Sequence, residues 1–417
     1  MIPTQLPQNF LENQKIVIAI SGSIAVYKIC ELIRYFTKSG AQIRIVMSAS
    51  AAKFVTPLTF EVLSGNKVLD DTNEDWSNDF NHIGFATWAD LLIIAPATAN
   101  TINKLSHGVA DNLITQVALA CNKPKLLAPA ANTAMIESQI TLASIKQLKL
   151  NAYEVIESRY AELACKTEGN GALATPEDIY HQAVRLLFKD NFYQNRNITI
   201  SGGGTIEKID DVRYLSNFSS GKMARSIALI SHLCGANVTL VSTKFDETLP
   251  LVIKQYVTPS TQEMQNVLND VIRKSHENKD LKQIQKSPLF FSAAAVSDYI
   301  PSEQVKGKLK KESLGNTWEL HLTKNQDILN NIDKDKLITI GFKAEFDSEN
   351  ALKNAKNMLN NKELSAVALN ILGGEINFGS DQSQMTFLTK DQSIQIKKAP
   401  KIMIAHTLLH HIKVLFS

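Results

Sequence analysis

Apolar residues along the chain fall into short continuous runs separated by longer amphipathic ones, and this alternation occurs twice. "KIVIAIS" (15–21) is apolar almost throughout, as a strand covered on both faces must be. "IAVYKICELIRYFTKSG" (24–40) has apolar residues at helical spacing and stops at a glycine. "QIRIVMS" (42–48), "LLIIAPAT" (91–98), "KLLAPAAN" (125–132) and "AYEVIE" (152–157) predict further strands, and "PEDIYHQAVRLLF" (176–188) predicts a closing helix. "KDNFYQNRN" (189–197) is polar and patternless and reads as a link. The alternation then restarts with "ITISGGG" (198–204), "NVTLVST" (237–243), "LFFSAAA" (289–295), "LITIGFKA" (337–344) and "SAVALNI" (365–371). An amphipathic helix, "APKIMIAHTLLHHIKVLF" (399–416), ends the chain. The pattern predicts an α/β protein of two doubly wound domains, 1–190 and 191–417, with no repeat between them at the level of sequence.

Length agrees, since 417 residues exceed one ordinary core. A net charge of +3 is too small for a nucleic-acid binder. No apolar run approaches the roughly 20 residues that span a bilayer. The N-terminal stretch lacks a basic-then-apolar leader, so a cytoplasmic protein is expected. None of the four cysteines lies in a CxxC pair. Cys30, Cys121 and Cys234 sit in apolar runs and read as small buried hydrophobes. Cys165 lies in a polar, glycine-containing stretch.

Strand ends carry the candidate chemistry. "SGSIAVYK" (21–28) joins the first strand to the first helix, as an anion site does, although it is not GxGxxG. "APATANTINKL" (95–105) places Thr98, Asn100 and Asn103 at the same edge, and "APAANTAM" (128–135) adds Asn132. Convergence of amides and hydroxyls on one crevice is stronger evidence than any one of them. His82, in "NHIGFATWAD", precedes a strand. In the second half, "SGGGTIEKIDDVRYLSNFSSGKM" (201–223) combines a glycine run, Asn217, Ser219, Ser220 and Lys222 around a helix start, a combination suited to phosphate. It is not a Walker A loop. Ser219 by itself reads equally well as a helix cap. "SEQVKGKLKKES" (302–313) is either a solvated surface or a lid meeting an anionic substrate, and "TWELHLTKN" (317–325) reads as an edge strand returning from it.

In the first half, "SGSIAVYK", "HI…WADLLIIAPATAN", "APAANTAM" and "ACKTEGNG" occur in the order seen in the flavin-containing cysteine decarboxylases, and residues 15–188 resemble the 4′-phosphopantothenoylcysteine decarboxylase half of the bifunctional coenzyme A biosynthesis proteins. The resemblance implies a flavodoxin-like or Rossmann-like domain binding FMN through Ser23, Ser48, Thr98 and Asn100. It implies His82 as active-site base, Asn132 as holder of the substrate carboxylate and Cys165 as proton donor on a flap. The resemblance implies that the flavin oxidises the substrate thiol to a thioaldehyde, whose carbon–sulfur double bond accepts the electrons left by CO₂. Two departures stand out. Ala131 replaces the family's methionine, and Lys166 and Ala172 replace a glycine and an arginine of the flap. Lys166 is a candidate to supply the missing charge.

In the second half, the 201–223 segment with "SAAAVSDY" (292–299), "VKGKLKK" (305–311), "KNQDIL" (324–329) and "GFKAE" (341–345) resembles phosphopantothenate–cysteine ligase, from about 198 to the end. This implies a Rossmann-like domain that uses CTP and Mg²⁺ to join cysteine to 4′-phosphopantothenate through an acyl cytidylate. Asn217 maps to the intermediate, and Ser292, Ala293, Ala294 and Asp298 to base and ribose. Lys308 maps to the lid lysine, Asn325, Gln326, Asp327 and Ile328 to a nucleotide loop, and Phe342 to a base contact. Lys362, with Lys356 as a candidate partner, maps to the triphosphate. The product, 4′-phosphopantothenoylcysteine, is the substrate of the first half. The resemblance also implies a homo-oligomer, with trimers of the flavin domain assembled up to a dodecamer and ligase halves paired as dimers. Competing readings are a ligase with a degenerate flavoprotein half and a non-catalytic flavoprotein partner. A generic NAD enzyme is disfavoured, because neither half carries GxGxxG with a ribose-binding acid.

Overall fold

The apolar run near the N-terminus forms strand β1, Lys15–Ile20, whose residues from Ile16 onward are fully buried because helices cover both faces of its sheet. The computed structural model describes residues 6–250, 252–276, 286–310, 317–373, 377 and 379–417. Two compact units divide at Phe188 and Lys189. In the first unit β1 is joined by β2 (Gln42–Met47), β3 (Val68–Leu69), β4 (Leu91–Ala97), β5 (Lys125–Pro129) and β6 (Tyr153–Val155). All pair in parallel, in the order β3-β2-β1-β4-β5-β6. The order reverses between β1 and β4, and a crevice at such a switch point is where open α/β sheets bind ligands. The core under it packs Val17, Leu92, Ile94 and Leu127 against Phe85, Ile102 and Val117 from the helices. A hairpin, β7 (Arg159–Glu162) and β8 (Glu168–Ala172), stands apart from the sheet and carries Cys165 in its turn.

The second unit repeats the plan. Its strands are β9 (Asn197–Gly202), β10 (Ile206–Lys208), β11 (Tyr214–Ser216), β12 (Asn237–Ser242), β13 (Lys254–Val257), β14 (Leu289–Ser292), β15 (Tyr299–Pro301), β16 (Leu322–Lys324), β17 (Ile338–Glu345), β18 (Ala366–Ile371), β19 (Gln382–Leu388) and β20 (Ser393–Pro400). The main sheet runs β13-β12-β9-β14-β17-β18-β19-β20. It is parallel as far as β18, and β19 and β20 add an antiparallel hairpin at one edge. The switch point lies between β9 and β14, so the "SGGG" and "SAAA" strand ends meet. Ala293 and Ala295 donate their backbone N–H groups to the carbonyls of Ser201 and Gly203 at 3.2 and 2.8 Å.

Some elements differ from the sequence reading. The first helix begins as a 3₁₀ turn, Ile24–Lys28, before Ile29–Lys38. The C-terminal helix starts at Lys401, because β20 runs to Pro400, which serves as its N-cap. Within "TWELHLTKN" only Leu322–Lys324 is strand, paired antiparallel with β15. Of the basic segment 302–313, residues 311–313 lie outside the described residues.

Candidate functional site

In the first unit the nominated cofactor residues share one edge of the sheet. Ser23 follows β1, Ser48 follows β2, and Thr98 and Asn100 follow β4. Three of these side chains already work as helix-start acceptors. Ser23 Oγ accepts from Ala25 at 3.3 Å, Ser48 Oγ from Ala51 at 3.2 Å, and Thr98 Oγ1 from Thr101 at 3.3 Å. Asn100 is exposed. Ser21 stitches the switch point, its Oγ donating to the Pro96 carbonyl at 2.6 Å and accepting from Thr98 N–H at 3.0 Å. Three helical turns therefore begin along this edge, with first-turn N–H groups and hydroxyls among its donors. That donor-rich chemistry fits the phosphate and ring carbonyls of a flavin nucleotide.

Beside this edge lies a cavity of about 470 Å³ lined by Ser23, Tyr27, Lys28, Asn132, Cys165 and Ala172, among others. Asn132 Oδ1 caps the short helix Thr133–Ile136 through Ala134 N–H at 3.0 Å. Its Nδ2 then points at Cys165 Sγ, 3.5 Å away. The thiol also meets Thr167 Oγ1 at 3.0 Å. Hydrogen bonds from the Thr167 hydroxyl and backbone N–H, then from Asn132, hold the Cys165 pKa below the ordinary thiol value.

The departures in the flap prove compatible with a seated hairpin. Ala131 donates its N–H to the Gly171 carbonyl at 3.0 Å, and Asn170 Nδ2 reaches Glu137 at 2.8 Å. Both contacts use groups that the substitutions leave in place. Lys166 keeps φ at 63°, a left-handed conformation that glycine adopts more cheaply. Its side chain is exposed and does not line the cavity, so it is not placed to supply the missing charge. The cation that lines the cavity is Lys28, within a motif the sequence had singled out for other reasons.

His82 does not line this cavity. It opens the helix His82–Trp88, capped by Asn81, and Trp76 packs edge-on against its ring at 5.3 Å between centroids. Its Nδ1 lies 2.6 Å from Glu74, which also accepts the His82 backbone N–H at 3.0 Å. Burial raises the Glu74 carboxyl, but these two bonds more than offset it and hold the group ionised below its usual range. The Glu74 contact fixes the ring's orientation and leaves Nε2 as the ring nitrogen not engaged by Glu74. Glu74 was invisible in the sequence, because nothing in a polar loop marks which carboxylate folds back eight residues.

In the second unit one cavity of about 710 Å³ gathers nearly all the nominated ligase residues. Asn217, Ser292, Ala294, Asp298, Asn325, Gln326, Asp327, Ile328, Phe342 and Lys362 line it. Ala293 lines an adjoining cavity of about 220 Å³, which shares Phe218, Ala294, Ala295 and Phe342–Ala344 with the larger one. Asn217 Nδ2 donates to the Val296 carbonyl at 2.9 Å. Lys362 Nζ pairs with Asp327 at 2.6 Å. Asn325 is a strut. Its Nδ2 donates to Thr261 Oγ1 and the Ser297 carbonyl at 2.9 and 2.7 Å, and its Oδ1 accepts from Gln326 N–H at 2.8 Å. Thr261 is anchored in turn on the buried Glu207. The Asn325 amide is thus engaged by the protein. Lys356 is exposed and lines neither cavity, since the buried face of its helix passes through Ala351, Ala355, Met358 and Leu359. Among the described residues no group of three His, Cys, Asp or Glu is arranged to hold a metal ion.

The glycine run proves to serve packing. A side chain at Gly202 would meet Ala224 Cβ at 2.5 Å, at Gly203 Thr243 Oγ1 at 2.2 Å, and at Gly204 the Asn217 carbonyl at 2.3 Å. These glycines admit the protein's own neighbours and so bring Asn217 to the strand end. The cap of the helix Lys222–Leu233 is Gly221, at φ 70°, which leaves Ser219 and Ser220 exposed on the cavity wall rather than capping.

Lys308 is exposed and also outside the cavity lining, but its backbone is clamped from both sides. Gly307 N–H donates to Asp211 at 2.7 Å, and Leu309 N–H to Asp210 at 3.1 Å. Arg213 donates to the Leu309 carbonyl at 2.6 Å. Burial raises the Asp210 carboxyl, but the N–H groups of Val212, Arg213 and Leu309 and the Arg213 charge outweigh it and lower its pKa. The Gly307 segment is therefore latched to the 209–213 turn by contacts that any movement of the loop must break. An Asp210→Asn variant is expected to be cut by trypsin at Lys306 and Lys308 several-fold faster than the parent, because an amide oxygen cannot replace a charged acceptor of three N–H groups. Equal cleavage rates would show that the latch does not hold the loop.

Comparison with known proteins agrees with both halves. Residues 5–188 match a family model described as "Flavoprotein", and residues 193–415 match "DNA/pantothenate metabolism flavoprotein C-terminal domain". The Coenzyme A biosynthesis bifunctional protein CoaBC of Haemophilus influenzae is 34% identical over 96% of this chain and 98% of its own length. That of Bacillus subtilis is 33% identical over 91% of this chain and 92% of its own. Among solved structures, the C-terminal domain of a Coenzyme A biosynthesis bifunctional protein CoaBC is 28% identical, covering 54% of this chain and 98% of that one, with a TM-score of 0.42. With both halves matched and near-complete relatives above 30% identity, the chain belongs to the family of bifunctional coenzyme A biosynthesis proteins.

Proposed function

We propose that the chain joins cysteine to 4′-phosphopantothenate in its second unit and decarboxylates the product to 4′-phosphopantetheine in its first. The observation that carries this reading is the contact of Asn132 with Cys165 in the first cavity, on a hairpin still seated despite its altered residues.

For ligation, the acid's carboxylate attacks the α-phosphorus of CTP and displaces pyrophosphate. The cysteine amine then attacks the acyl carbon and displaces CMP. Asn217 holds the reacting centre at the cavity mouth, and Phe342, Ser292, Ala293 and Ala294 receive the base and ribose. Lys362 offsets phosphate charge within the cavity, and Lys308 joins it when the Gly307 segment releases Asp210 and Asp211. Mg²⁺ enters on the phosphate oxygens, with Asp298 the cavity carboxylate nearest to hand for it, since Asp327 is held by Lys362. For decarboxylation, Ser23, Ser48, Thr98 and Asn100 hold FMN. When bound, it oxidises the substrate thiol so that the electrons released with CO₂ have an acceptor. Asn132 orients the departing carboxylate, Cys165 delivers a proton to the carbon left behind, and Lys28 supplies positive charge to an anionic substrate.

His82 lies outside the single-chain cavity, and exposed Trp76 and Ile83 surround it. This supports completion of the site by a neighbouring copy, in trimers of the flavin unit within a larger homo-oligomer with paired ligase units. Among the described residues no helix is long and apolar enough to cross a membrane. Together with four free thiols, this supports a cytoplasmic location. The test is one time course by mass spectrometry with 4′-phosphopantothenate, cysteine, CTP and Mg²⁺. Appearance of 4′-phosphopantetheine and a yellow, flavin-absorbing protein is expected. Accumulation of 4′-phosphopantothenoylcysteine would move the ligase-only reading to the front.

A further inference from the structure

A chain of buried hydrogen bonds runs behind the wall of the larger cavity in the second unit. It begins at Glu207 on β10, a carboxylate residue only 5% exposed. Glu207 Oε1 accepts the Thr261 backbone N–H at 3.1 Å and the Thr261 hydroxyl at 2.5 Å. Thr261 is buried at the start of the helix Thr261–His276. Its Oγ1 accepts from Asn325 Nδ2, which also donates to the Ser297 carbonyl. A second tie joins the same helix to the loop, as Gln326 Nε2 donates to Gln262 Oε1 at 3.2 Å. Asn325, Gln326, Asp327 and Ile328 line the cavity, whereas Glu207 and Thr261 do not.

The direction of this chain is fixed at both ends. The Ser297 carbonyl can only accept and the Gln326 N–H can only donate, so the Asn325 amide has one orientation. Its Nδ2 then faces Thr261 Oγ1, and the single Thr261 proton must leave on the other side. Thr205 Oγ1 stands 3.3 Å away, and the carboxylate at 2.5 Å is the better acceptor. Burying a carboxylate is unfavourable unless its bonds are made, and this one closes a fully directed network. The hairpin that carries Glu207 also leads to the reacting centre. Glu207 pairs with Leu215 of β11, and Asn217 follows β11 directly. One hairpin therefore holds Asn217 and, through Thr261, the nucleotide loop.

We propose that Glu207 and Thr261 are positioning residues for the nucleotide, keeping the loop from Asn325 to Ile328 in register with Asn217 without touching a substrate. The inference rests on the ligase reading above. A methyl group in place of the Thr261 hydroxyl takes a donor from Glu207 and an acceptor from Asn325. The loop then loses a shape that nucleotide binding has to restore, so the loss falls on CTP.

The experiment measures ligation by the full chain with CTP, 4′-phosphopantothenate and cysteine varied in turn, and equilibrium binding of CTP with Mg²⁺ beside it. Thr261→Val is expected to weaken CTP binding and raise the KM for CTP by about tenfold, the effect of orphaning a buried donor. The KM values for the acid and for cysteine should stay within about twofold. Thr261→Ser, which keeps the hydroxyl, should recover most of the loss. Glu207→Gln keeps an oxygen for Thr261 without its charge, and should move CTP binding in the same direction by about threefold. A merely structural role would lower the melting temperature and leave CTP binding as in the parent, and that result overturns the proposal. A joint rise of all three KM values, or a serine variant no better than the valine one, overturns it as well. CTP binding is read without turnover, so the proposal is decided even if the wild type forms no ligated product, the result that would sink the ligase reading. A wild type that binds no CTP overturns both.

Discussion

Replacing Cys165 by serine is expected to slow decarboxylation by about 10²–10⁴-fold, the range over which a positioned proton donor acts, while leaving the ligase rate unchanged. The geometry supplies the reason. Cys165 Sγ stands against the Asn132 amide and the Thr167 hydroxyl at the wall of the first cavity. An alcohol fits the same space but is a far weaker acid, so it would hold the contacts and fail at the transfer. The expected signature is accumulation of 4′-phosphopantothenoylcysteine from 4′-phosphopantothenate, cysteine and CTP. A pH profile adds a second check. The donor must be the protonated thiol, and its pKa is lowered by Thr167 and then Asn132. Activity should therefore fall as pH rises through a value below that of an ordinary thiol. In Thr167→Val that fall should move to higher pH. A serine variant that decarboxylates within threefold of the parent would remove Cys165 from the chemistry.

Those contacts were only partly legible in the sequence, for a reason that recurs through the molecule. Strands such as β1, β4 and β9 are buried on both faces, so their residues form apolar runs that announce them. β13 and β20 are exposed along most of their length and lack such a run. Polar strand ends can be read as candidates because a doubly wound sheet brings every strand end to one edge. That logic placed Ser23, Ser48, Thr98, Asn100 and Asn132 together. It did not place Cys165, whose approach to Asn132 depends on a hairpin folding back over 33 residues. The packing role of the glycine run was hidden for a related reason. A missing Cβ is equally useful to a ligand or to the protein's own backbone, and only the fold shows Asn217 occupying the space. Lys28 and Asp210 gain their interest from what stands opposite them, and sequence spacing carries no trace of that.

Asn217 offers the largest expected effect in the ligase half. Its Nδ2 is tied to the Val296 carbonyl, and its own carbonyl packs against Gly204, so the side chain is fixed at the mouth of the nucleotide cavity. Asn217→Asp changes one atom and two energies. The new carboxylate oxygen faces the Val296 carbonyl, acceptor against acceptor, and the side chain turns away from its seat. It also adds a negative charge where a carboxylate must approach a triphosphate. Removal of one preorganised donor at such a centre typically costs about 10²–10³ in rate, and like-charge repulsion acts in the same direction. Ligation is therefore expected to fall by at least about 10²-fold, whereas decarboxylation of supplied 4′-phosphopantothenoylcysteine should be unchanged. Asn217→Gln, which keeps the amide but displaces it, should lie between the two. Equal ligation by the aspartate variant and the parent would mean that the activated acid is held elsewhere in the second unit and that Asn217 serves only to brace the Val296 carbonyl.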